Sequence, residues 1–394
     1  MTIMINPTLV LNCGSSSIKY ALISEDNQSR ITGLAEGLGT PLAQLKHTNT
    51  DGDKQLFKLN GADHKQALTE ILQLLKEHQP VAVGHRVVHG GRQFSSAVKI
   101  DEHTLSEIKQ LTVLAPLHNP ANALGIEAVN TLYPNLPQVA VFDTAFHQSM
   151  PDVAFRYAIP KELYEEYGIR RYGFHGTSHA YVSHRASKLS NTPAPHGWLT
   201  AHLGNGCSAA AIYDGKSLDT SMGLTPLEGL MMGTRSGDVD PSLHAHLHRT
   251  RGMSIEEIDT LLNKQSGVLG VSGISNDMRT IEEAAADGNA NAKLALAMFE
   301  YRVGKYLAAL SCAVPTLTGI IFTGGIGENA AETRANILAV MRHFGIHIDA
   351  DKNAKLIRGG EGSFHHPDSR LELWVIPTDE EYQIAMETRE VIGK

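Results

Sequence analysis

Short apolar runs rich in β-branched residues recur along the chain, at residues 9–11, 18–23, 81–83, 139–142, 198–203, 320–322 and 373–376. Runs of this length that give way to Gly, Ser, Asp or Pro predict strands. Between them, residues 65–78, 254–264, 291–314, 330–344 and 379–391 place apolar side chains three and four apart, the spacing of a helix with one buried face. Strands and helices mixed along the whole chain predict an α/β fold.

One pattern occurs twice. A strand, a polar Gly/Ser turn and a second strand read as LVLNCGSSSIKYALI over residues 9–23 and as LTAHLGNGCSAAAIYDG over residues 199–215. The repeat points to an internal duplication, with one phosphate hairpin per domain. Length agrees, because 394 residues, 42% of them hydrophobic, exceed what a single core usually supports. Turns near Pro151 and Pro377 are the expected crossings. They divide the chain into residues 1–150 plus 378–394 and residues 151–377, with the last helix returning to the first domain.

Charge and cysteine content narrow the function. A formal net charge of -8 gives no overall field for nucleic acid or an anionic membrane, so any anion site must be local. No apolar run reaches the ~18 residues that span a bilayer, and no charged-then-apolar leader is present, so a cytoplasmic protein is expected. Cys13, Cys207 and Cys312 are too few and too scattered for a disulfide framework or zinc cluster, and read as reduced thiols. His244 and His248 could share a helix face beside His246, but without a carboxylate motif they read as surface residues.

Three segments could handle phosphate. In NCGSSSIK, Asn12, Gly14, Ser15 and Ser17 form a turn with Lys19 close behind, so that backbone N–H groups, hydroxyls and an ammonium are available as donors. HLGNG, His202 to Gly206, is a second such turn. FTGGIGENA leaves a strand through three glycines into a helix, a common docking place for nucleotide. Each alone also reads as an ordinary turn. Three after three strands favour nucleotide, held without a Walker-type loop, since GxxxxGK[ST] is absent. Two alternatives stand beside this. Gly325, Gly327 and Ala330 fit GxGxx(G/A), with Asp349 at a ribose-contact distance, which would make the chain a NAD-dependent oxidoreductase. A non-enzymatic nucleotide-binding scaffold would keep the loops and need no chemical centre.

The candidate chemistry lies elsewhere on the chain. Asp143 ends a strand, where α/β folds expose catalytic groups, although it could equally cap the next helix. Arg86 and Arg235 sit in Gly-flanked turns, and a guanidinium fork matches carboxylate or phosphate oxygens; an ion pair to Asp238 or Asp240 is the structural reading for Arg235. His175 and His202 complete the set.

Taken in order, NCGSSSIK, GHRVVHGG, APLHNP, FDTAFH, GFHGTSH, HLGNG, DTSMGLTPLEGLMMGTRSGD, FTGGIGEN and TDEE resemble the acetate and propionate kinase family from about residue 9 to residue 384. The resemblance implies two similar actin-like ATPase (ribonuclease H-like) domains with the active cleft between them, and a homodimer formed through the second domain. It also implies transfer of a phosphoryl group from ATP to acetate, giving acetyl phosphate and ADP, with propionate as the alternative acceptor. Asn12 and Glu380 would bind Mg2+, for which Mn2+ could substitute. Ser15, Ser17, Lys19, His202, Leu203, Gly204, Asn205, Gly206, Asp277, Met278, Arg279, Gly325, Ile326, Gly327, Glu328 and Asn329 would contact nucleotide. Arg86 would bind the carboxylate, with Asp143 as the family's acid/base residue and His175 and Arg235 stabilising the transition state. Val88, Leu117, Phe174 and Pro226 would enclose the methyl group. Residues 40–63 match the family poorly. A carboxylate acceptor, whose ordinary pKa lies near ~4, is already ionised at neutral pH, so Asp143 is expected to orient metal or substrate instead of creating a nucleophile.

Overall fold

A computed structural model describes residues 4–116 and 118–393. Its chain divides into two units, one of residues Met1–Phe146 with Asp379–Lys394 and one of residues His147–Thr378.

The first unit is built on eight strands: β1 (Thr8–Cys13), β2 (Ser17–Ile23), β3 (Arg30–Glu36), β4 (Gln44–Thr48), β5 (Lys54–Lys58), β6 (Ala82–Val87), β7 (Val98–Lys99) and β8 (Gln138–Phe142). They lie in the order β5-β4-β3-β2-β1-β6-β8-β7. β1, β6 and β8 run parallel, and the burial of β1 and β8 on both faces is why their sequences are largely apolar, whereas β6 carries Gly84, His85 and Arg86. One face carries Leu9, Leu11, Ile18 and Leu22 against Leu68 and Ile71 of the helix His64–Leu74. That helix starts on a capping box, in which Asp63 accepts from Gln66 N and Gln66 reaches back to the Asp63 N–H. Val10, Ala21, Val139 and Val141 on the other face meet Ile384 and Ala385 of the helix Glu380–Ile392. Helix and sheet approach closely at Gly84, where a Cβ would stand 2.3 Å from Thr388 Oγ1. Truncating a fully buried residue such as Leu9 should cost about 2 to 5 kcal/mol.

The strands β3 to β5 form an antiparallel meander over a segment that the sequence pattern left without strands. Their alternation is weak, and β5, KQLFK, exposes most of its side chains at the sheet edge.

Six strands form the second unit's sheet: β9 (Gly197–Leu203), β10 (Cys207–Tyr213), β11 (Lys216–Thr220), β12 (Gly319–Thr323), β13 (Gly362–Ser363) and β14 (Glu372–Val375), in the order β11-β10-β9-β12-β14-β13. The five strands β11-β10-β9-β12-β14 repeat the order and direction of β3-β2-β1-β6-β8, with two antiparallel steps followed by two parallel ones. This is the actin-like ATPase arrangement, present twice.

The long periodic stretch expected at 291–314 is the helix Ala290–Leu310, with Phe299, Val303 and Leu307 buried, closed by a short 3-10 turn. Residues 330–344 hold the helix Ala331–Val340 and a 3-10 turn, because Ala330 leaves the helical region at φ -96, ψ 82. Among the described residues no helix is long and apolar enough to cross a membrane.

Candidate active site

In the first unit the β6–β8 register sets Arg86 beside Val141, close to the end of the strand that leads into Asp143. Arg86 grips Asp143 with both arms of its fork, Nε donating to Oδ1 at 2.9 Å and Nη2 to Oδ2 at 2.6 Å. Its Nη1 donates to Asn12 Oδ1 at 3.3 Å. Asp143 is buried, and burial lifts its carboxyl above the ordinary range against the pull of Arg86, with Glu380 adding to the rise. Burial also opposes the charge on Arg86, but Asp143, Glu380 and Glu381 outweigh it and hold the guanidinium more firmly protonated. Five N–H groups belong to Arg86 and three are engaged, so two remain for another anion. Both Asp143 oxygens are thus engaged by Arg86, and among the described residues no helix N-terminus claims them. The carboxylate orients Arg86.

Behind this pair, Asn122 accepts from Val88 N at 3.1 Å and donates to Cys13 O at 2.8 Å, tying the GHRVVHGG segment to the β1–β2 turn. The turn is braced by Gly14 N donating to Ser17 O at 2.8 Å and by His64 Nε2 at Gly14 O, 2.7 Å away. Ser15 is exposed and Ser17 half-buried. Lys19 is paired with Glu381. Asn12, Asp143 and Glu380 offer oxygen donors only, a hard set that suits Mg2+ or Mn2+ better than a thiol- or imidazole-seeking metal. No group of three His, Cys, Asp or Glu among the described residues could hold a metal by itself. That fits an ion completed by phosphate oxygens and water. Leu117 lies outside the described residues.

The second unit carries the other group. Its hairpin turn, Gly204 to Gly206, closes with Gly204 N donating to Gly206 O at 3.1 Å. Gly324, at φ +76, lets the next turn pass over Leu203, whose carbonyl oxygen would lie 2.7 Å from a Cβ there. Asn205 is held by Asn276 Nδ2, which donates to its Oδ1 at 2.9 Å. These turns open on a cavity of about 830 Å3 lined by Gly204, Asn205, Asp277, Met278, Arg279, Gly325, Ile326 and Asn329, with Asn276, Glu282, Ala330, Ile357 and Arg358 completing the wall. The volume lies in the usual range for a ligand of nucleotide size. Asn276, Glu282, Ile357 and Arg358 were not singled out in the sequence; the last two belong to a further glycine turn, in which Gly360 N donates to Ile357 O at 3.1 Å.

Some expected contacts turn out to brace the site. Glu328 Oε1 accepts from Gly324 N at 2.9 Å and from Thr378 N at 3.1 Å, so its carboxylate fixes the glycine turn. Asp277 caps the helix Met278–Ala286 and pairs with Arg279 at 3.0 Å. Gly327 is buried, its carbonyl accepting from Arg334 Nη1 at 2.9 Å. Asp349 does not serve a ribose-type role: it caps the helix Ala350–Lys355 and pairs with Lys352.

His175 adopts a left-handed φ of 56 at the start of the helix Gly176–Leu189, and its ring stacks on that of His202 with centroids 4.3 Å apart. Strained backbone of this kind clusters at functional sites. Arg235 lies on the same side: a Cβ on Gly206 would stand 3.5 Å from Arg235 Nη1 and 3.6 Å from His175 Nε2. Arg235 donates to Pro226 O at 3.4 Å, and among the described residues no carboxylate acts on it. The ion pair to Asp238 is not formed, because Asp238 accepts from Gly229 N at 2.8 Å and from Tyr306 Oη. Burial weighs against the Arg235 charge, and the neighbouring Cys207 thiol, pushed up to about 12 by its own burial, supplies no anion at neutral pH. Phe174 is buried nearby in sequence, with its carbonyl accepting from His147 Nε2 at 3.1 Å. A half-buried cation with no carboxylate partner among the described residues, next to a glycine hairpin turn, is suited to a polyanion whose charge it can share.

The sequence profile of the acetokinase family matches residues 7–386. The acetate kinase of Ectopseudomonas mendocina is 54% identical over 385 residues, 96% of this chain and 97% of that protein. Among solved structures, Porphyromonas gingivalis acetate kinase superposes with a TM-score of 0.93 at 45% identity, over 98% of this chain and 100% of its own. A propionate kinase from Francisella tularensis also gives 0.93, at 47% identity and the same coverage. A profile that spans nearly the whole chain, together with relatives this similar along almost all of it, shows that the protein belongs to the acetokinase family.

Proposed function

We propose that the protein is an acetate kinase, which transfers the γ-phosphoryl group of ATP to acetate reversibly, giving acetyl phosphate and ADP. The observation that carries this reading is the half-buried Arg235 guanidinium, lacking a carboxylate partner and set beside the Gly204–Gly206 turn and His175. The acetate oxygen forms the new O–P bond as the bond to the β–γ bridging oxygen breaks, and no proton has to move first.

In this reading the second unit's cavity takes the nucleotide, and the turns at Gly204 and Gly325 supply N–H donors to its phosphates. Arg235 and His175 share the charge on the equatorial oxygens of the transferring group, where positioning and electrostatics supply most of the catalysis. Arg86 offers its two remaining N–H groups to the acetate carboxylate, with Asp143 holding the fork in aim, and Val88 closes on the methyl group. Asn12 and Glu380 would hold Mg2+, which when bound neutralises charge on the β- and γ-phosphate oxygens. By the same resemblance the enzyme works as a homodimer through its second domain, in the cytoplasm.

The test mixes ATP and Mg2+ with a panel of short carboxylic acids and traps acyl phosphate with hydroxylamine. Acetohydroxamate should dominate, with propionate slower because one methylene is worth about 1 to 3 kcal/mol in an apolar pocket. Absence of hydroxamate from every acid would sink the assignment. Chelation should abolish the signal, and a monomeric mass by light scattering would remove the dimer.

A further inference from the structure

Behind His175 runs a chain of buried polar side chains to which no expected role was attached. His175 Nδ1 is 2.9 Å from Ser208 Oγ; Ser208 Oγ is 2.7 Å from His179 Nε2; His179 Nδ1 is 2.7 Å from Thr200 Oγ1; and Thr200 Oγ1 reaches Ala210 O at 3.5 Å. Ser208, His179 and Thr200 are fully buried. All four come from local folding of one unit. His175 and His179 are one helical turn apart, and Thr200 and Ser208 sit on the paired strands β9 and β10.

The chain has a direction. Ala210 O can only accept, so the hydroxyl of Thr200 donates to it. Thr200 then accepts from His179 Nδ1–H, which leaves His179 Nε2 to accept from the Ser208 hydroxyl. Ser208, its single proton spent, accepts from His175 Nδ1–H. Pointing every donor the other way leaves Ala210 O without this bond. His179 stays neutral throughout, since burial drives its pKa well below the ordinary histidine value, with His147 and His202 acting in the same direction.

We propose that Thr200, His179 and Ser208 are positioning residues that lock His175 as its Nδ1–H tautomer, making Nε2 the atom that gains a proton and donates it in a hydrogen bond to the transferring phosphoryl group. This rests on the phosphoryl-transfer reading and deepens it. The groups around His175 are Arg235 on the loop, whose charge opposes protonation; the stacked His202 on β9; His179 on its own helix; and the neutral thiol of Cys207 on β10. A phosphoryl oxygen accepting at Nε2 and Ser208 accepting from Nδ1–H both favour the imidazolium. The proton comes from solvent when nucleotide binds and returns there after ADP and acyl phosphate leave.

The experiment uses full-length protein labelled with 15N in histidine, with the His175 signals identified by their loss in His175→Gln. At pH 8 without nucleotide, a pyrrole-type shift at Nδ1 and a pyridine-type shift at Nε2 are expected. The opposite tautomer overturns the proposal whether or not any variant folds. Ser208→Ala should lower kcat by about 10- to 100-fold, the usual effect of removing a group that orients a working histidine. KM for acetate and ATP should stay within about twofold, and the alkaline fall of kcat should move to lower pH. An unchanged pH profile and kcat in folded Ser208→Ala would also overturn it. If the hydroxamate assay fails while the tautomer is as expected, the functional reading falls and the hydrogen-bonded lock stands.

Discussion

The protein's two cleft-type arginines sit in opposite electrostatic settings. Arg86 is fully compensated, gripping buried Asp143 at 2.6 and 2.9 Å with Glu380 and Glu381 close enough to act on it. Arg235 has a backbone carbonyl and, among the described residues, no carboxylate. A paired guanidinium is held rigidly and can aim its remaining N–H groups, but it has little net charge to offer. An uncompensated one costs folding free energy and keeps its whole charge for a ligand. The first suits ground-state positioning of a small carboxylate. The second suits charge that grows during reaction.

Removing each arginine should separate these roles. Arg86→Ala leaves Asp143 buried without its cation and should cost about 3 to 5 kcal/mol of stability, read as a fall in the urea midpoint, together with a raised KM for acetate. A midpoint equal to wild type would mean that the pair is not coupled to the fold. Arg235→Ala should leave the midpoint unchanged or higher while kcat drops on the order of 10^2- to 10^3-fold, about 2.7 to 4 kcal/mol. If Arg235→Ala destabilises the protein as much as Arg86→Ala does, the contrast between the two sites disappears.

Acid should reach both regions. His85 and His89 flank Arg86, His147 lies in the second unit, and burial pushes all three down to about 4. Each stays neutral in the fold while the unfolded chain takes up a proton near 6.5. Their neutral forms therefore cost nothing above pH 6.5, and stability is lost as pH falls from there toward 4, by up to about 3 kcal/mol per histidine. A urea midpoint flat from pH 7 to 5 would contradict this. The smallest effect belongs to Val88→Ala, which should raise the propionate-to-acetate ratio of kcat/KM by about 1 to 3 kcal/mol and leave KM for ATP alone. An unaltered ratio would take Val88 out of the acyl pocket.

The glycine turns were legible in the sequence because their chemistry is local: Gly14, Gly204 and Gly324 announce hairpins and a strand-to-helix turn within a few residues. The duplicated hairpin also predicted a repeat that the strand orders display in full. The Arg86–Asp143 pair was not legible. Its members lie 57 residues apart and meet through the register of β6 on β8, which no local pattern encodes. The backbone duties of Glu328 and Asp277 were not legible either, since a carboxylate in a motif can hold its own backbone as well as face a ligand, and here Glu328 bonds Gly324 N while Asp277 caps a helix. Ser208 and His179 were passed over because a buried histidine on a helix looks like packing until the strand behind it is in place. The meander at residues 30–58 escaped because its outer strand is too polar to alternate visibly.

The closing helix has a consequence for synthesis. Ile384 and Ala385 fill the face of the first sheet beside Val10 and Val139, and Thr388 packs on Gly84, yet the whole of His147–Thr378 is translated between β8 and that helix. At about 5 to 20 residues per second the ribosome leaves this face uncovered for on the order of 10 to 50 seconds. The amino-terminal sheet thus matures last, and its exposed valines and isoleucines are the surface that a chaperone has time to find on the nascent chain.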